Sequence, residues 1–293
     1  MKLGFLTNAF VQQGWTDIKE IADWSVANGF QALEVGPNVP FEELESVVND
    51  ERITVGGLTY CRNFLSEDEE EARMHRVELV RRIKKAGELG IPLVITSTGI
   101  ANVSPRERYD DYDAIRSKPE NSLDQVVAYF REVVELAESV NVKLAFENCP
   151  LMGNIAISPK MWEALFARLD SPNVGLTYDP SHSVWQFIDP YLPIQEFGDR
   201  IFHVHVKDTE IDYDQLKRTG ILTDFSWWRY RLPGLGELNW SKLIAELAAV
   251  EYDGMLSIEH EDPVWEGTLT KTQHALLFSK HYLDHVPGTK SNK

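Results

Sequence analysis

The sequence predicts an α/β protein that forms a single (β/α)8 TIM barrel. Short β-rich runs alternate with longer segments of helical period along the chain. Eight such runs occur in 293 residues, a length that suits one large α/β domain. No Pro- or Ser-rich linker interrupts the alternation, so residues 1–293 are expected to form a single domain.

The eight predicted strands are short apolar runs rich in β-branched and aromatic residues. They are residues 3–7, 32–36, 53–58, 93–97, 143–147, 174–179, 201–206 and 255–259. Amphipathic segments lie between them. In residues 15–29, for example, Ile18, Ile21, Ala22 and Val26 share one helical face, and Gly29 is a C-terminal stop signal.

A doubly wound open sheet is the alternative fold for this pattern. It should carry a glycine-rich phosphate loop after the first strand, but LGFLTNAFVQQG has no GxGxxG. Two connections, at about 98–118 and 207–238, are too long for simple βα loops. Both would lie at the C-terminal face of a barrel, where we expect them to shape a substrate pocket rather than to be disordered decoration.

The composition narrows the classes of function. The net charge of -17 repels phosphate backbones and disfavours nucleic-acid binding. Two cysteines do not make a disulfide framework. The N-terminus lacks the apolar region of a signal peptide, and no apolar run approaches the roughly 20 residues that span a bilayer. A cytoplasmic protein without membrane partners is expected.

Four consecutive strands carry a titratable side chain at or near their C-terminal ends. Glu147, Asp179, His205 and Glu259 occupy strands five to eight in that order. Because side chains alternate faces along a strand, these positions are in phase with the barrel interior, whereas His260 is out of phase. A single strand-end carboxylate is usually a helix cap, but four residues in order and in phase predict a shared site.

Three carboxylates directed at one place would repel one another without a counter-charge. An oxygen-rich set of ligands with one imidazole suits one divalent ion such as Mn²⁺, Mg²⁺ or Co²⁺. A closed structural zinc site favours Cys and His ligands instead. The sequence therefore predicts a divalent metal ion, with Mn²⁺ preferred and Mg²⁺, Co²⁺ or Zn²⁺ as alternatives.

Five segments resemble those of the xylose isomerase-like TIM barrels, the sugar (phosphate) isomerase/epimerase superfamily. They are AFENCP, YDPSH, HVHVKDTE, RYRLPGLGELNW and LSIEHEDP, and the resemblance covers essentially the whole chain. It implies that Glu147, Asp179, His205 and Glu259 are metal ligands. It also implies that His182 matches a histidine that contacts substrate in epimerases and a metal in endonuclease IV.

The resemblance to the nuclease branch fails at specific positions. That branch binds three zinc ions with extra histidines after strands three and four. Here LTYCRNF and TSTGIAN contain none. Together with the acidic charge, this departure argues against DNA repair.

The resemblance also implies a reaction. A divalent ion binds adjacent oxygens of a hydroxy-ketone and acidifies the neighbouring C–H, so that a carboxylate can form a metal-stabilised cis-enediolate. Glu147 and Glu259 are then the catalytic pair on opposite faces of the substrate. Returning the proton to the opposite face is epimerisation, and returning it to the neighbouring carbon is isomerisation.

The remaining site candidates are residues near strand ends or in the second long loop. His182 and Lys207 would polarise substrate oxygens, Arg231 would bind a hydroxyl or anionic group, and Trp227 would cover the apolar face of a sugar. For each of these residues a packing or surface role is the alternative. The substrate-binding candidates are His182, Lys207, Arg231, Tyr60 and Trp227, with Trp228 and Glu34 as further candidates.

Several alternatives stay open at this stage. No phosphate cradle is evident, so unphosphorylated keto-sugars or 3-keto-glycosides are the expected substrates. In the latter the same enolate can expel a glycosidic oxygen, which makes a metal-dependent lyase or hydrolase the alternative function. A non-catalytic sugar-binding barrel is a second alternative. A dimer or tetramer is expected, with residues 225–230 as a plausible contact.

Overall fold

The barrel strands close on one another in a single parallel sheet. The computed structural model describes residues 1–101, 118–151 and 153–289. Eight strands form a closed barrel in the order β1-β10-β7-β6-β5-β4-β3-β2, and β8 pairs only with β9 among the described residues. Their bounds are β1 Lys2–Leu6, β2 Ala32–Val35, β3 Thr54–Tyr60, β4 Leu93–Thr96, β5 Lys143–Glu147, β6 Val174–Tyr178, β7 Ile201–Val206, β8 Asp208–Ile211, β9 Trp228–Arg231 and β10 Met255–Ile258.

Helices occupy most of the connections. Their bounds are α1 Asn8–Val11, α2 Ile18–Ala27, α3 Phe41–Val48, α4 Glu69–Leu89, α5 Leu123–Ser139, α6 Pro159–Leu169, α7 Pro180–Trp185, α8 Leu192–Phe197, α9 Tyr213–Thr223, α10 Trp240–Ala249 and α11 Leu269–Asp284. Short 3-10 turns cover Pro119–Ser122 and Gly198–Arg200. Among the described residues no helix has both the length and the apolar content that a membrane crossing requires.

Local sequence signals set the ends of these helices. The side chain of Asp17 accepts hydrogen bonds from the first backbone N–H groups of α2, and Asp68 does the same for α4. Gly90 ends α4 with a φ of 68°, a left-handed conformation that glycine adopts without steric cost. The helix boundaries that flank the strands are therefore encoded locally.

Two compact units make up the chain. The first comprises residues 1–55, 179–199 and 203 onward, and it holds β1, β2 and β8 to β10. An aromatic cluster packs inside it, with the Phe5 ring 5.2 Å from that of Phe10 and 5.0 Å from that of Phe30. In the same unit, a Cβ on Gly4 would lie 2.0 Å from the carbonyl oxygen of Ala32, so only glycine allows this approach of β1 to β2.

The second unit comprises residues 56–178 and 200–202. Its buried core includes Cys61, Leu93, Ile95 and Ala145, with Phe202 packed against them. Strands β4, β5 and β6 pair in parallel, and Glu147 at the end of β5 lies beside Thr177 of β6. The single-domain boundaries 1–293 stay a prediction.

The predicted barrel class is confirmed, and the eight predicted strands correspond to the eight barrel strands with small shifts at their ends. The region 207–238 is not a simple loop. It contains the antiparallel hairpin β8–β9, in which Asp208 pairs with Arg231 and Ile211 with Trp228, and the helix α9 between them. Most of the other predicted loop, 102–117 of 98–118, lies outside the described residues.

Candidate metal centre

Three of the predicted ligands come together in the first unit. The donor atoms of Asp179, His205 and Glu259 all lie within 4.8 Å of one another. The Nδ1 atom of His205 is 3.1 Å from Oε2 of Glu259, and both Asp179 and His205 are fully buried. Two carboxylates and an imidazole therefore face one another in a site that excludes bulk water.

Each of these side chains is placed by a regular element. Asp179 is the N-cap of α7, and its Oδ1 accepts a hydrogen bond from the backbone N–H of Ser181 at 2.9 Å. His205 pairs in register with Ser257 of β10, and Glu259 follows two residues beyond Ser257. Parallel strands bring their C-terminal ends to the same face of a barrel, which explains the convergence.

A buried ammonium group lies among the carboxylates. The Nζ atom of Lys207 is 2.6 Å from Oε2 of Glu259, 2.8 Å from Oε2 of Glu261 and 3.1 Å from Oδ2 of Asp179. Burial alone would lower the pKa of Lys207, but these three negative charges outweigh it and hold the pKa well above its usual value. Lys207 is thus a cation that balances this cluster.

The far side of His205 is held by a fourth carboxylate. Both oxygens of Glu34 lie 3.1 Å from Nε2 of His205, and Oε2 lies 2.8 Å from Nε2 of His203. Burial alone would raise the pKa of Glu34, but the charges and hydrogen bonds of His205 and His203 hold it well below its usual value. Glu34 is therefore an anionic partner for both imidazoles.

His182 connects the cluster to the hairpin. Its Nε2 lies 3.3 Å from Oδ2 of Asp179, and its Nδ1 lies 3.1 Å from the hydroxyl of Tyr230. The ring of Tyr230 also faces the Nζ of Lys207 at 4.2 Å. Strand β9 thereby brings an aromatic hydroxyl next to the predicted substrate-binding residues His182 and Lys207.

Glu147 is described within the second unit. It ends β5 with only 5% of its surface exposed, and the thiol of Cys61 lies 3.3 Å from its Oε2. The amide of Asn154 donates to the backbone carbonyl oxygens of Glu147 and Cys149, at 2.7 and 3.0 Å. The turn after β5 is thus fixed where the carboxylate emerges.

The other predicted substrate contacts have partners within the fold. Arg231 donates to Asp262 at 3.0 Å and also pairs with Glu210. Trp227 is 1% exposed, and its ring stacks on Phe187. These contacts show what Arg231 and Trp227 hold in place, and their roles toward a substrate stay predictions.

Tyr60 and Cys61 point in different directions at the end of β3. The Tyr60 hydroxyl lies 2.9 Å from Nδ1 of His75 on helix α4, whereas the next side chain, Cys61, contacts Glu147. Side chains alternate faces with period two, and that signal would have favoured Cys61 over Tyr60 as the residue next to a ligand. The substrate role of Tyr60 stays a prediction.

Sequence reasoning missed two residues of the cluster and named a third only as a further candidate. Glu34 was a minor candidate, and Glu261 and Tyr230 were not proposed. Glu34 and Glu261 carry a detectable signal, because Glu34 lies at a strand end and Glu261 lies two residues after Glu259. Tyr230 depends on a hairpin between distant segments, which local periodicity does not predict.

Two other buried carboxylates, Asp208 and Asp262, hold backbone instead, and we call them the anchor carboxylates. Asp208 accepts hydrogen bonds from the backbone N–H groups of Thr209, Gly234 and Leu238 and from the indole of Trp240. Burial outweighs these bonds and raises the pKa of Asp208. Asp262 accepts from Leu232, Val264 and Arg231.

The donor set of Asp179, His205 and Glu259 fits a divalent cation. Their donor atoms are close enough to share an ion, and they combine the carboxylate and imidazole ligands that Mn²⁺, Co²⁺ and Zn²⁺ accept. The second nitrogen of His205 is hydrogen bonded to a carboxylate, as is usual for a metal-ligating histidine. The chemistry of the residues therefore supports a metal centre without fixing the identity of the metal.

Comparison with known proteins finds a matching family model and curated relatives. A family model described as xylose isomerase-like TIM barrel matches residues 22–281. An uncharacterized protein, YfiH of Bacillus subtilis, is 26% identical over 89% of this chain and 93% of its own length. An inosose dehydratase of Lactiplantibacillus plantarum is 25% identical over 91% of this chain and 89% of its own length.

Solved structures share the fold. A crystal structure of IolI protein with a bound zinc atom superimposes with a TM-score of 0.74 at 19% identity, over 99% of this chain and 100% of that chain. A D-tagatose 3-epimerase-like protein superimposes with a TM-score of 0.68 at 20% identity, over 98% of both chains. At this level of identity the likeness establishes the fold alone.

Proposed function

Because the chain belongs to the xylose isomerase-like TIM barrel family, we propose that it is a divalent-metal-dependent enzyme of keto-sugar or related polyol-ketone chemistry. It removes a proton from the carbon next to the substrate carbonyl. Return of a proton to the resulting enediolate then gives the epimer or the isomer. The observation that carries the proposal is the convergence of Asp179, His205 and Glu259 at the C-terminal ends of barrel strands.

The proposed metal ligands are Asp179, His205, Glu259 and Glu147. Glu147 ends β5, which is adjacent to β6 in the barrel order, and Asp179 directly follows β6. The C-terminal strand ends of a TIM barrel form its catalytic face, so a buried carboxylate at the end of β5 belongs to that face. Mn²⁺ is the preferred ion, and Mg²⁺, Co²⁺ and Zn²⁺ are alternatives.

When bound, the metal supplies Lewis-acid polarisation of the substrate carbonyl. Glu147 and Glu259 are the proposed proton carriers on opposite faces of the substrate. Glu147 is buried and the side chain of Glu259 is only 12% exposed, so access of water to both is limited, which favours transfer of the proton between substrate and protein. Epimerisation needs both carboxylates, because the proton leaves from one face and a proton returns on the other.

Lys207 and His182 are proposed to bind the substrate oxygens. The ammonium group of Lys207 is buried and lies 2.6 Å from Glu259, so it is positioned to stabilise negative charge on an enediolate oxygen. His182 is held between Asp179 and Tyr230, which fixes the direction of both ring nitrogens. Both residues are proposed to orient the substrate.

A second candidate function is elimination of water or of another β-positioned oxygen from the same enolate. It is favoured by the likeness to the inosose dehydratase of Lactiplantibacillus plantarum, a relative that covers 91% of this chain. A glycosidic oxygen as the leaving group would make the enzyme a 3-keto-glycoside lyase. The first step and its residues are shared with the epimerase, so the products decide between the two functions.

Proton NMR in D₂O tests the proposal. Metal-loaded protein is mixed with a panel of free ketoses, inososes and 3-keto-glycosides. Deuterium at a carbon next to the carbonyl is the expected result, and the products separate epimerase, isomerase and lyase. Absence of exchange with every panel member, from protein shown to contain metal, would sink the proposal.

The matched variant for this experiment is Glu147→Gln. It keeps the size of the side chain and removes its basicity, so exchange should fall about 10²- to 10⁴-fold. The metal content of the variant is measured on the same sample, which separates loss of the base from loss of the ion. Full exchange activity in Glu147→Gln would remove Glu147 from the mechanism.

A further inference from the structure

The carboxylate of Glu34 lies behind His205, on the side away from Asp179 and Glu259. We infer that Glu34 is a positioning residue, which holds His205 in the one tautomer that can ligate a metal through Nδ1. The inference rests on the proposed metal site and assigns a role to a residue that touches neither metal nor substrate. It predicts that the carboxylate, and not only the shape of this side chain, sets the metal affinity.

The geometry assigns the two ring nitrogens of His205 to different partners. Nε2 lies 3.1 Å from both oxygens of Glu34, and Nδ1 lies 3.1 Å from Oε2 of Glu259. An ionised carboxylate only accepts hydrogen bonds, so when a metal ion takes the Nδ1 side, the one proton of the neutral imidazole is on Nε2 and is donated to Glu34. The lone pair of Nδ1 then points to the Asp179–Glu259 side.

His203 makes the arrangement more demanding. Its Nε2 lies 2.8 Å from Oε2 of the same carboxylate, so Glu34 accepts from two imidazoles at once. Two N–H donors need two acceptor oxygens, which a carboxylate has and an amide does not. A glutamine at this position satisfies one histidine and presents an N–H group to the other.

Burial strengthens the effect of Glu34 on His205. Glu34 and His205 have no exposed surface, and His203 is 1% exposed. Water cannot replace a lost hydrogen bond there, so without the Glu34 carboxylate the Nε2–H of His205 loses its acceptor. Outer-shell partners of metal-ligating histidines typically change metal affinity by 10- to 100-fold.

Glu34, His203 and His205 also have donor atoms within 4.8 Å of one another, which is compatible with a metal ion of their own. That arrangement would use Nε2 of both histidines as ligands and remove their N–H protons. The two interpretations therefore differ in the protonation of Nε2, which can be observed directly.

The first measurement is ¹⁵N–¹H correlation NMR of the histidine rings in the metal-free and Co²⁺- or Zn²⁺-loaded full-length protein. The expected result is an Nε2–H proton on His203 and on His205 in the metal-loaded protein, with the metal shifting the Nδ1 signal of His205. An Nδ1–H tautomer of His205 in the metal-loaded protein, or loss of its Nε2–H, would overturn the inference. This test needs no substitution at Glu34.

The second measurement is Zn²⁺ affinity by chelator competition. Glu34→Gln should bind Zn²⁺ about 10- to 100-fold more weakly than wild type. Glu34→Asp keeps the charge and should recover part of that loss. His203→Gln is the matched control, because it removes the other partner of Glu34 but leaves the Glu34–His205 bond, and its affinity should stay within about threefold of wild type.

Metal binding by exposed histidines is excluded by the choice of protein variant. His281 and His285 are exposed neighbours at the end of α11, with ring centroids 4.5 Å apart, and such a pair can capture metal. All titrations therefore use protein that carries the substitutions His281→Asn and His285→Asn. These substitutions leave every residue of the proposed site unchanged.

The outcomes separate this inference from the proposed function. If Asp179→Asn abolishes tight Zn²⁺ binding and Glu34→Gln leaves it within threefold of wild type, the inference is wrong and the metal site stands. If the wild-type protein binds no metal tightly, the proposed function itself fails. Weaker Zn²⁺ binding by Glu34→Gln, together with an altered tautomer of His205, supports both the inference and the proposed function.

Discussion

Buried carboxylates serve two different purposes in the first unit. The anchor carboxylates, Asp208 and Asp262, accept hydrogen bonds mainly from backbone N–H groups. We call Asp179 and Glu259 the cluster carboxylates, and their close partners are the side chains of Lys207, His182 and His205. Asp179 is as fully buried as Asp208 and Asp262, so burial alone does not identify a functional carboxylate.

The difference lies in what the partner can do. A backbone N–H cannot leave without unfolding the segment that carries it, so the bonds of Asp208 hold residues 234–240 against β8. A lysine or histidine side chain can rotate or exchange its role with a cation. The partners of a buried carboxylate, rather than its depth, therefore distinguish a structural acid from a chemical one.

The largest effect is expected from Lys207→Met. It removes the ammonium group that lies within 3.1 Å of three carboxylates, Asp179, Glu259 and Glu261. Removing one partner of a buried ion pair costs about 3–5 kcal/mol, so the metal-free variant should lose about that much unfolding free energy. Urea unfolding with and without added Mn²⁺ checks this.

Added Mn²⁺ should stabilise Lys207→Met more than wild type, because the ion replaces the missing positive charge. The variant Lys242→Met is the matched control, since that lysine contacts the ring of Tyr191 away from the cluster. Equal stability of Lys207→Met and wild type in a chelator would show that Lys207 does not balance the cluster.

Asp179→Asn should act more on metal affinity than on folding. Asparagine keeps the N-cap of α7 but lacks the charge, so Zn²⁺ affinity should fall at least about 100-fold, since outer-shell changes alone reach that size. The unfolding free energy without metal should fall by less than in Lys207→Met, because the buried ammonium group of Lys207 keeps Glu259 and Glu261 as partners. Chelator competition and urea unfolding measure the two quantities.

Asp208→Asn should show the reverse pattern. The amide nitrogen would face N–H donors that now bond to Oδ1 or Oδ2, and leaving such a donor unsatisfied costs about 1–3 kcal/mol. Metal affinity should stay within about twofold of wild type. A variant that lost metal binding but kept its stability would erase the distinction between anchor and cluster carboxylates.

The smallest effect belongs to an exposed carboxylate. Hydrogen bonds and charge from Arg52 lower the pKa of Asp50 to about 2. A lowered folded-state pKa stabilises the protein above the unfolded value of 3.8, and that stabilisation disappears as the pH falls toward 2. The difference in melting temperature between wild type and Arg52→Gln should be small at pH 6 and should shrink between pH 4 and 2.

The barrel was predictable because each strand has its own local signal. Apolar runs, stop glycines and Asp caps recur along the eight barrel strands and the helices between them. No contact between distant residues is needed to recognise these signals. The hairpin β8–β9 was missed because its strands have four residues each and lie on either side of a helix. Its pairing depends on contacts between residues 17 to 23 positions apart in sequence, such as Asp208 with Arg231.

The site was predictable to the extent that strand phase decides it. Period two places Asp179, His205 and Glu259 together, and the structure has them within 4.8 Å of one another. Glu34 obeys the same period, but its meaning depends on two histidines 169 and 171 positions away. Contacts at that separation are decided by the closure of the barrel, which a single sequence does not display.

The separation between Glu34 and its histidines also sets a timetable for the growing chain. At about 5–20 residues per second, a ribosome needs roughly 10–30 s to add the 169 positions between Glu34 and His203. Throughout that interval Glu34 has no imidazole to hold, and a metal ion meets no assembled set of ligands. Loading of the proposed site is therefore a late event of biosynthesis, which depends on the ions available when the last third of the polypeptide emerges.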